Sequence, residues 1–381
     1  PRSHRHSMPP CRVRSSLLSP AGAHSFLSRT GETHALRRRR VCTGGAPPPS
    51  VVVLSSADNP ALAHAPLDAA ELLIGHDLES LLAHGDKLRR AEALLWVPPT
   101  PPPVLRALLV EGHAPAVRWC HGFYAGVDPI AAIAREVLLP AGIPLSNGRG
   151  AFSSSLAEYA LMAALHFNKQ VARCQQNRRE RRWDKFEMSV LRGQTLGLLG
   201  FGDIAQHVAR LGKAFGMRVV CLRRNASKPD ETGLADLVLG PYEGPILPAH
   251  KRALLEQSDV VVCTLPGTEE TRHFLSSAEF DAMKGGATFV SVGRGIAVDE
   301  SALVAALPRL GGAALDVFET EPLPADSPLW EQPDSKLLLT AHNADYTADY
   351  FRLGWRVWRD NLERVGRGEP LATPVDVGMG Y

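Results

Sequence analysis

Three ionisable residues, Arg294, Glu321 and His342, each follow an apolar run that is typical of a buried β-strand. The carboxyl ends of parallel strands lie along one edge of an open sheet, so residues this far apart in the chain can share one cleft. Each of these residue types is common and usually structural or solvated, so the prediction rests on their joint placement. We expect one site that contains a guanidinium, a carboxylate and an imidazole.

These groups suit hydride transfer to or from the carbon beside a carboxylate, in a small 2-oxo or 2-hydroxy acid. The reaction requires a proton to move on or off the oxygen of that carbon, and His342 is the natural donor and acceptor near neutral pH. A carboxylate at Glu321 would orient the imidazole and favour its protonated form. Arg294 would bind the carboxylate of the acid and polarise its ketone oxygen.

A regular alternation of strands and helices from residue 195 to residue 342 would position these side chains. The helix predicted over residues 203–216 has apolar side chains at the helical period, namely Ile204, Val208, Leu211 and Phe215. Strands are predicted at residues 195–200, 218–223, 259–265, 287–292, 313–318 and 336–341. Most of them are apolar on both faces, as parallel strands covered by helices should be. The pattern predicts a doubly wound, parallel-sheet α/β domain.

The flanking residues predict a second, discontinuous α/β domain. Short apolar runs such as residues 51–56 alternate with helical segments up to about residue 150. A long helix follows over residues 151–167, with a capping box formed by Ser155 and Glu158. The closing segment has one apolar helical stripe, which we expect to pack on the first domain: Phe351, Trp355, Trp358, Leu362 and Val365. The predicted limits are 1–48 for a disordered or targeting segment, 49–150 with 345–381 for a substrate domain, and 151–344 for a dinucleotide-binding domain.

Gly200, Gly202 and Ala205 form a G-x-G-x-x-A pattern between a predicted strand and an amphipathic helix. The first glycine permits a tight turn, the second lets backbone N–H groups approach a pyrophosphate, and the small third residue lets the helix pack close to the strand. A glycine-rich turn without a ligand is the alternative. The position between strand and helix favours a dinucleotide site.

The residues at the end of the next predicted strand, 218–223, predict which dinucleotide binds. A site for NAD(H) would have an acidic residue there, but the chain has Arg223 and Arg224, with Lys228 close behind. A guanidinium can bind a 2′-phosphate, which a carboxylate would repel. We therefore expect NADP(H) to be favoured and NAD(H) to be possible; the alternative is that both arginines are ordinary surface residues.

The charge distribution separates the N-terminal residues from the rest. Residues 1–48 hold nine Arg, no Lys and one acidic residue, which leaves 33 basic and 39 acidic residues for the remaining chain, a net of −6. Nothing in this mildly acidic body predicts nucleic-acid binding. The arginine-rich start has the composition of an organelle transit peptide; the alternatives are a disordered tail or translated sequence upstream of the true start. No apolar run is long enough to span a bilayer. The expected location is the cytoplasm or, with a transit peptide, a chloroplast or mitochondrion.

The six cysteines are scattered, without a CxxC pair or a histidine cluster at metal-ligand spacing. This distribution favours free thiols in a reducing compartment and predicts no metal site.

Several segments together resemble the D-isomer-specific 2-hydroxyacid dehydrogenase family, which includes glyoxylate/hydroxypyruvate reductases and phosphoglycerate dehydrogenases. They are LGLLGFGDIA, VSVGRG, AALDVFETEPLP and LTAHNAD, with AGVD earlier and VDVGMGY at the end, and the likeness runs from roughly residue 51 to residue 381. The resemblance implies a Rossmann nucleotide-binding domain, a flavodoxin-like substrate domain and a homodimer formed through the nucleotide-binding domains.

The resemblance also implies roles for individual residues. The family's catalytic Arg, Glu and His fall on Arg294, Glu321 and His342, and Asp316 matches an Asp that contacts the nicotinamide amide. Tyr124, Ala125 and Gly126 match the loop whose N–H groups bind the substrate carboxylate; from spacing alone this loop is a plain turn. The other expected cofactor contacts are Gly200, Gly202, Asp203, Ile204, Ala205, Arg223, Arg224, Leu265, Pro266, Val292 and Gly293.

The sequence departs from the family pattern at a few places. Ala341 stands where Pro commonly precedes the His, and Ser291 stands where Asn often precedes the Arg by three residues. Neither change removes a reacting group. Residues 230–250 are longer than the usual connection between the second strand and the next helix.

The resulting prediction is an oxidoreductase that transfers a hydride between NADP(H) or NAD(H) and a small 2-oxo acid, as a glyoxylate/hydroxypyruvate-type reductase. The alternative is a dinucleotide-sensing regulatory protein of the corepressor kind. The complete Arg–Glu–His set and the acidic body argue against it. A relative that acts on formate or phosphite would keep the fold, but no residue recommends it.

Overall fold

The computed structural model of the chain describes residues 48–227, 229–241 and 249–380. The predicted N-terminal segment lies outside the described residues apart from residue 48, and so do Lys228 and the middle of the long 230–250 connection. The transit-peptide interpretation therefore stays a prediction.

The first sheet has five parallel strands in the order β2-β1-β3-β4-β5. Their bounds are β1 Ser50–Leu54, β2 Glu71–Gly75, β3 Ala93–Trp96, β4 Trp119–Gly122 and β5 Leu145–Asn147. The accompanying helices are α1 Leu78–Leu82, α2 Asp86–Arg90, α3 Pro102–Val110 and α4 Ala131–Ile133, which continues into a π-helical turn, Ala134–Leu138. Strands β1, β3 and β4 are almost entirely buried, which explains why their sequences are largely apolar.

The second sheet has seven parallel strands in the order β12-β11-β10-β9-β6-β7-β8. Its strands are β6 Thr195–Leu199, β7 Arg218–Leu222, β8 Leu237–Leu239, β9 Val260–Cys263, β10 Thr288–Ser291, β11 Gly312–Leu315 and β12 Leu337–Leu339. Its helices are α5 Ser153–Asn168, α6 Val171–Arg179, α7 Asp203–Ala214, α8 Ala249–Gln257, α9 Ser277–Ala282 and α10 Glu300–Ala306. Five 3₁₀ turns complete the described elements: Pro60–His64, Asp128–Ile130, Glu269–Thr271, Gly295–Ala297 and Pro328–Glu331. The prediction of a doubly wound, parallel-sheet α/β fold is confirmed.

The long connection after β7 contains a strand that the sequence analysis did not predict. Strand β8 pairs in parallel with β7 and forms the edge of the sheet. All three of its residues are apolar and partly buried, but a run of three residues is too short for hydrophobic periodicity to identify it as a strand.

The closing helix, α11 Tyr350–Arg367, packs on elements of the first sheet. Trp355 and Trp358 are buried, and the indole N–H of Trp355 donates to the carbonyl of Ala61 at 2.6 Å. The rings of Phe123 and Trp355 meet edge to face, 5.3 Å between centroids. A discontinuous substrate domain requires such contacts, and the residue limits of the two domains stay a prediction.

The predicted capping box at Ser155 is wrong. Helix α5 begins at Ser153 without a side-chain cap, which places Ser155 inside the first turn. Its hydroxyl donates instead to the carbonyl of Ala344 at 2.6 Å. This bond connects α5 to the loop that follows His342, a contact that no local spacing rule describes.

The four cysteines in the described residues are free, and three of them, Cys120, Cys221 and Cys263, are buried. Within the same residues, no helix is both long and apolar enough to cross a membrane.

Candidate active site

His342 and Glu321 form a hydrogen-bonded pair at the carboxyl edge of the second sheet. The Nδ1 atom of His342 lies 2.7 Å from Oε2 of Glu321. The other carboxylate oxygen of Glu321 accepts from the backbone N–H of Phe318 at 3.0 Å, which fixes the carboxylate after β11. The pair is partly open to solvent, with the His342 side chain 43% exposed. The Nε2 atom of His342 is therefore left to exchange a proton with a ligand.

The pairing shifts the pKa values of both groups in the direction that keeps the imidazole protonated and the carboxylate charged. The hydrogen bond to Glu321 raises the pKa of His342, against the opposing effects of partial burial and of the positive charge on Arg294. Partial burial acts to raise the pKa of Glu321, but the hydrogen bonds from His342 and Phe318 outweigh it, and the net pKa is lowered. The site therefore favours an imidazolium beside a carboxylate.

Asp316 fixes the loop that carries His342. Its carboxylate is 1% exposed and accepts from the hydroxyl of Thr340 at 2.6 Å and from the N–H groups of Asn343 and Ala344 at 3.0 and 3.1 Å. The backbone N–H of His342 donates to the carbonyl of Asp316 at 2.8 Å. His342 itself has φ +50°, a left-handed conformation that is costly for a residue with a side chain, and these bonds hold it there. The predicted contact of Asp316 with a nicotinamide amide stays a prediction.

Arg294 is flanked by two glycines that pack directly against backbone. A Cβ on Gly293 would collide with the backbone of Leu265, and one on Gly295 would collide with that of Phe318. Larger residues would push the loop after β10 away from these two backbones. Both glycines of the Gly-Arg-Gly sequence are therefore required for the loop to pack as it does.

The guanidinium of Arg294 does not hydrogen-bond to the His342–Glu321 pair in this structure. Its Nη1 atom donates to the carbonyl of Gly293 at 2.9 Å, and its Nε atom donates to Asp128 at 3.1 Å. Asp128 follows β4 of the first sheet, so this ion pair joins loops of the two sheets. The sequence analysis did not single out Asp128, although it is the last residue of the AGVD segment.

The predicted substrate loop lies directly against Arg294. A Cβ on Gly126 would overlap the Nη2 atom of Arg294. The carbonyl of Ala125 accepts from the side-chain amide of Asn147 at 2.6 Å, and the ring of Tyr124 stacks on Tyr350. Within the described part of the chain, no hydrogen bond uses the N–H groups of residues 124–126 as donors. The loop therefore presents backbone donors next to a cation, which suits a carboxylate ligand.

The loop between β6 and α7 has the geometry that a pyrophosphate requires. Gly200 has φ +89°, and its N–H donates to the carbonyl of Leu222 at 2.9 Å. Gly202 is the N-cap of α7, no side chain caps the helix, and a Cβ on Gly202 would meet nothing within 4 Å. Ala205 is fully buried against the sheet. The first N–H groups of α7 thus face open space with the positive end of the helix dipole, and a dinucleotide fits this loop.

The remaining predicted cofactor residues lie at the start of α7 and just after β9 and β10. Asp203 and Ile204 open α7, and the side chains of Leu265 and Val292 are buried where β9 and β10 end. Pro266 follows Leu265, and its carbonyl accepts from the hydroxyl of Thr271 at 2.6 Å. Their contact with a cofactor stays a prediction.

The two arginines after β7 are both engaged with protein groups. The guanidinium of Arg223 lies 5.9 Å from the ring centroid of Phe201, in the glycine loop. Arg224 forms an ion pair with Glu270 and contacts the sulfur of Met379. No acidic residue stands at the end of β7, but Glu270 brings a carboxylate to Arg224 from the turn after β9. The sequence analysis missed this partner because 46 residues separate the two.

The chain is similar to proteins of one enzyme family. The sequence model of the D-isomer specific 2-hydroxyacid dehydrogenase NAD binding domain matches residues 161–344. A glyoxylate reductase from Aeropyrum pernix is 33% identical over 251 residues, which cover 62% of this chain and 70% of the relative. Glyoxylate/hydroxypyruvate reductase A from Salmonella typhimurium is 30% identical over 308 residues, covering 78% of this chain and 89% of the relative.

A solved structure shows the same fold over nearly the whole described chain. It is the D-isomer specific 2-hydroxyacid dehydrogenase from Xanthobacter autotrophicus Py2 in complex with NADPH and MES. The similarity has a TM-score of 0.70 at 26% identity and covers 88% of this chain and 100% of the other.

Proposed function

The chain belongs to the D-isomer specific 2-hydroxyacid dehydrogenase family and is a nicotinamide-dinucleotide-dependent oxidoreductase of small 2-oxo and 2-hydroxy acids; we propose that it is an NADPH-linked reductase in which Arg294, Glu321 and His342 are catalytic. The observation that carries the proposal is the 2.7 Å hydrogen bond between His342 and Glu321, at the same sheet edge as Arg294 and the glycine loop.

Proton transfer is the task of the His342–Glu321 pair. A reduced nicotinamide dinucleotide, with its pyrophosphate held by the β6–α7 loop, would supply the hydride for this chemistry. His342 uses Nδ1 for Glu321, so Nε2 gives the proton to the ketone oxygen. Glu321 holds the ring orientation and stabilises the imidazolium before the proton is given.

Binding of the acid is the task of Arg294 and residues 124–126. The guanidinium faces the loop whose backbone N–H groups are available as donors, and together they form a site for one carboxylate. The same guanidinium polarises the neighbouring ketone. The names of the curated relatives favour glyoxylate or hydroxypyruvate as the acid.

NADP(H) is the proposed cofactor. The arginines at the end of β7 and the absence of an acidic residue at that place favour a 2′-phosphate, and the solved relative from Xanthobacter autotrophicus Py2 is a complex with NADPH. The ion pair of Arg224 with Glu270 opposes this preference, because the phosphate must compete with a carboxylate for the guanidinium.

A panel of 2-oxo acids tests substrate and cofactor together. Glyoxylate, hydroxypyruvate and a bulkier 2-oxo acid are each assayed with NADPH and with NADH by cofactor absorbance. We expect turnover of the two small acids and a higher kcat/KM with NADPH. A higher kcat/KM with NADH would contradict the proposed role of Arg223 and Arg224.

A substitution of His342 tests the site. We expect kcat of His342→Ala to fall by about 10²- to 10⁴-fold, because the proton donor is lost, while the Kd of NADPH stays near that of the wild type. His113→Ala is the matched control, because His113 forms a similar 3.0 Å pair with Glu111 at the surface. Activity of His342→Ala near the wild-type level would show that the roles are misassigned.

A non-catalytic, dinucleotide-sensing regulator is not favoured, since the full Arg–Glu–His set is present and the curated relatives are reductases.

We also propose that a second copy of the chain binds the second-sheet domain. The segment after α6 carries Trp183, Met188 and Val190, whose side chains are 99%, 46% and 53% exposed. Such exposed apolar groups on a soluble domain favour a protein interface.

A further inference from the structure

Asp128 approaches the active-site arginine from the opposite sheet. Its Oδ2 atom accepts from Nε of Arg294 at 3.1 Å, and both side chains are only 33% exposed. The residues are 166 positions apart in sequence, so the contact exists only because the loops after β4 and β10 face each other.

The carboxylate of Asp128 lies in a confined place. A Cβ on Gly126 would come within 2.9 Å of its Oδ2 atom, and a Cβ on Gly267 would come within 3.1 Å of its Oδ1 atom. Two glycines and the guanidinium therefore pack against the carboxylate. A side chain at either glycine would displace Asp128 or Arg294.

Two acceptors define the orientation of the guanidinium. Nε is bound to Asp128 and Nη1 to the carbonyl of Gly293, and Nη2 lies against Gly126 of the substrate loop. An arginine side chain loses considerable rotamer freedom when it is fixed, and a charged acceptor on Nε provides that fixation before any substrate arrives.

We infer that Asp128 is a positioning residue for Arg294: it holds the guanidinium with Nη2 toward residues 124–126, where the substrate carboxylate binds. This inference rests on the proposed function. Asp128 also adds a negative charge near an anionic ligand, and its pairing with Arg294 offsets that charge. Loss of Asp128 should therefore weaken substrate binding, because the arginine no longer faces the loop.

A double-mutant cycle tests the inference. The wild type, Asp128→Ala, Arg294→Lys and the double variant are assayed for kcat and KM with glyoxylate, and the Kd of NADPH is measured by fluorescence. We expect Asp128→Ala to raise KM by about ten- to a hundredfold with a smaller change in kcat and an unchanged Kd, as loss of a charged hydrogen bond predicts. In the Arg294→Lys background the same change should have little further effect on kcat/KM.

Two additional variants give the cycle its controls. Asp128→Asn retains an acceptor and the size of the side chain, so it should recover part of the loss, and it replaces Asp128→Ala if that variant does not fold. Glu136→Gln removes an exposed partner of Arg106 in the first-sheet region and should leave KM unchanged. If the wild type is active and the effects of Asp128→Ala and Arg294→Lys on kcat/KM are additive, the inference about Asp128 is overturned and the proposed function is not. A wild type that turns over no 2-oxo acid would overturn the proposed function and this inference with it.

Discussion

At the residue scale, the site consists of charged groups that are each held by a specific acceptor or donor. The imidazole of His342 is held by Glu321, and the loop around it is held by the buried carboxylate of Asp316. Arg294 is held by Asp128. The side chains of His342 and Glu321 are partly exposed, and the carboxylate that fixes the His342 loop is buried, so the structure combines access for a ligand with a defined orientation of the proposed proton donor.

The raised pKa of His342 determines the expected pH profile of reduction. Reduction needs the imidazolium, so kcat/KM should stay high beyond the ordinary imidazole pKa of about 6.5 and fall as the pH rises through the raised value. In Glu321→Gln the hydrogen bond to a charged acceptor is lost, and the fall should shift to lower pH. Oxidation of the hydroxy acid needs neutral imidazole, so its rate should rise over the same pH range.

The pH dependence of kcat/KM for the wild type and Glu321→Gln checks this prediction. Glu111→Gln, which removes the surface partner of His113, serves as the control and should leave the profile unchanged. Coincident profiles for Glu321→Gln and the wild type would mean that Glu321 does not set the protonation of His342.

At the scale of elements, the order of strands brings the proposed catalytic residues to one edge of the sheet. Strands β12, β11 and β10 are neighbours in the sheet, so the loops that follow them lie side by side although 21 to 48 residues separate His342, Glu321 and Arg294. The first sheet contributes the loop after β4, which contains residues 124–126 and Asp128. A change that moves one strand end would therefore disturb several site residues at once.

A buried ion pair connects helices α8 and α9 of the second-sheet region. Nζ of Lys251 lies 2.7 Å from Oε1 of Glu279, with both side chains at most 10% exposed, and also donates to the carbonyl of Phe274 at 2.8 Å. Lys251→Met should lower the free energy of unfolding by about 3–5 kcal/mol, because it leaves the carboxylate buried without a cation. Denaturant unfolding measures this loss.

The matched variants separate the burial of a charge from the loss of a contact. Lys251→Met combined with Glu279→Gln should recover part of the stability, since no unpaired charge remains. Arg252→Met, which breaks the exposed pair with Glu256 one position along α8, should cost at most about 1 kcal/mol. Equal losses for Lys251→Met and Arg252→Met would contradict the argument.

At the scale of the whole molecule, contacts distant in sequence connect the two sheets and leave one apolar segment exposed. Helix α11 returns to the first sheet, and Arg294, after β10, meets Asp128, after β4. The segment with Trp183, by contrast, lies along α6, where Arg173 pairs with Asp184 and its guanidinium lies over the ring of Phe186 at 4.1 Å. These contacts order the segment and leave Trp183 pointing outward.

Substitution of Trp183 tests the proposed homodimer. The wild type should sediment as a dimer, and Trp183→Glu should weaken association by roughly 30-fold or more, as expected for a buried tryptophan at an interface. Leu67→Glu changes another exposed apolar residue, 75% exposed, and should leave the association unchanged. A wild type that sediments as a monomer at micromolar concentration would contradict the proposal.

The sequence alone determined the α/β class, the glycine loop and the three ionisable residues at strand ends, because these features depend on local periodicity and on the residues that tight turns require. Only the tertiary structure decided the partners of those residues: Asp128 for Arg294, Glu270 for Arg224 and Ala344 for Ser155. These partners lie 46 to 189 positions away, and which loops meet depends on the order of strands in the second sheet and, for Asp128, on the packing of the first sheet against it. Strand β8 escaped prediction for a different reason, since its apolar run, Leu237–Leu239, is only three residues long.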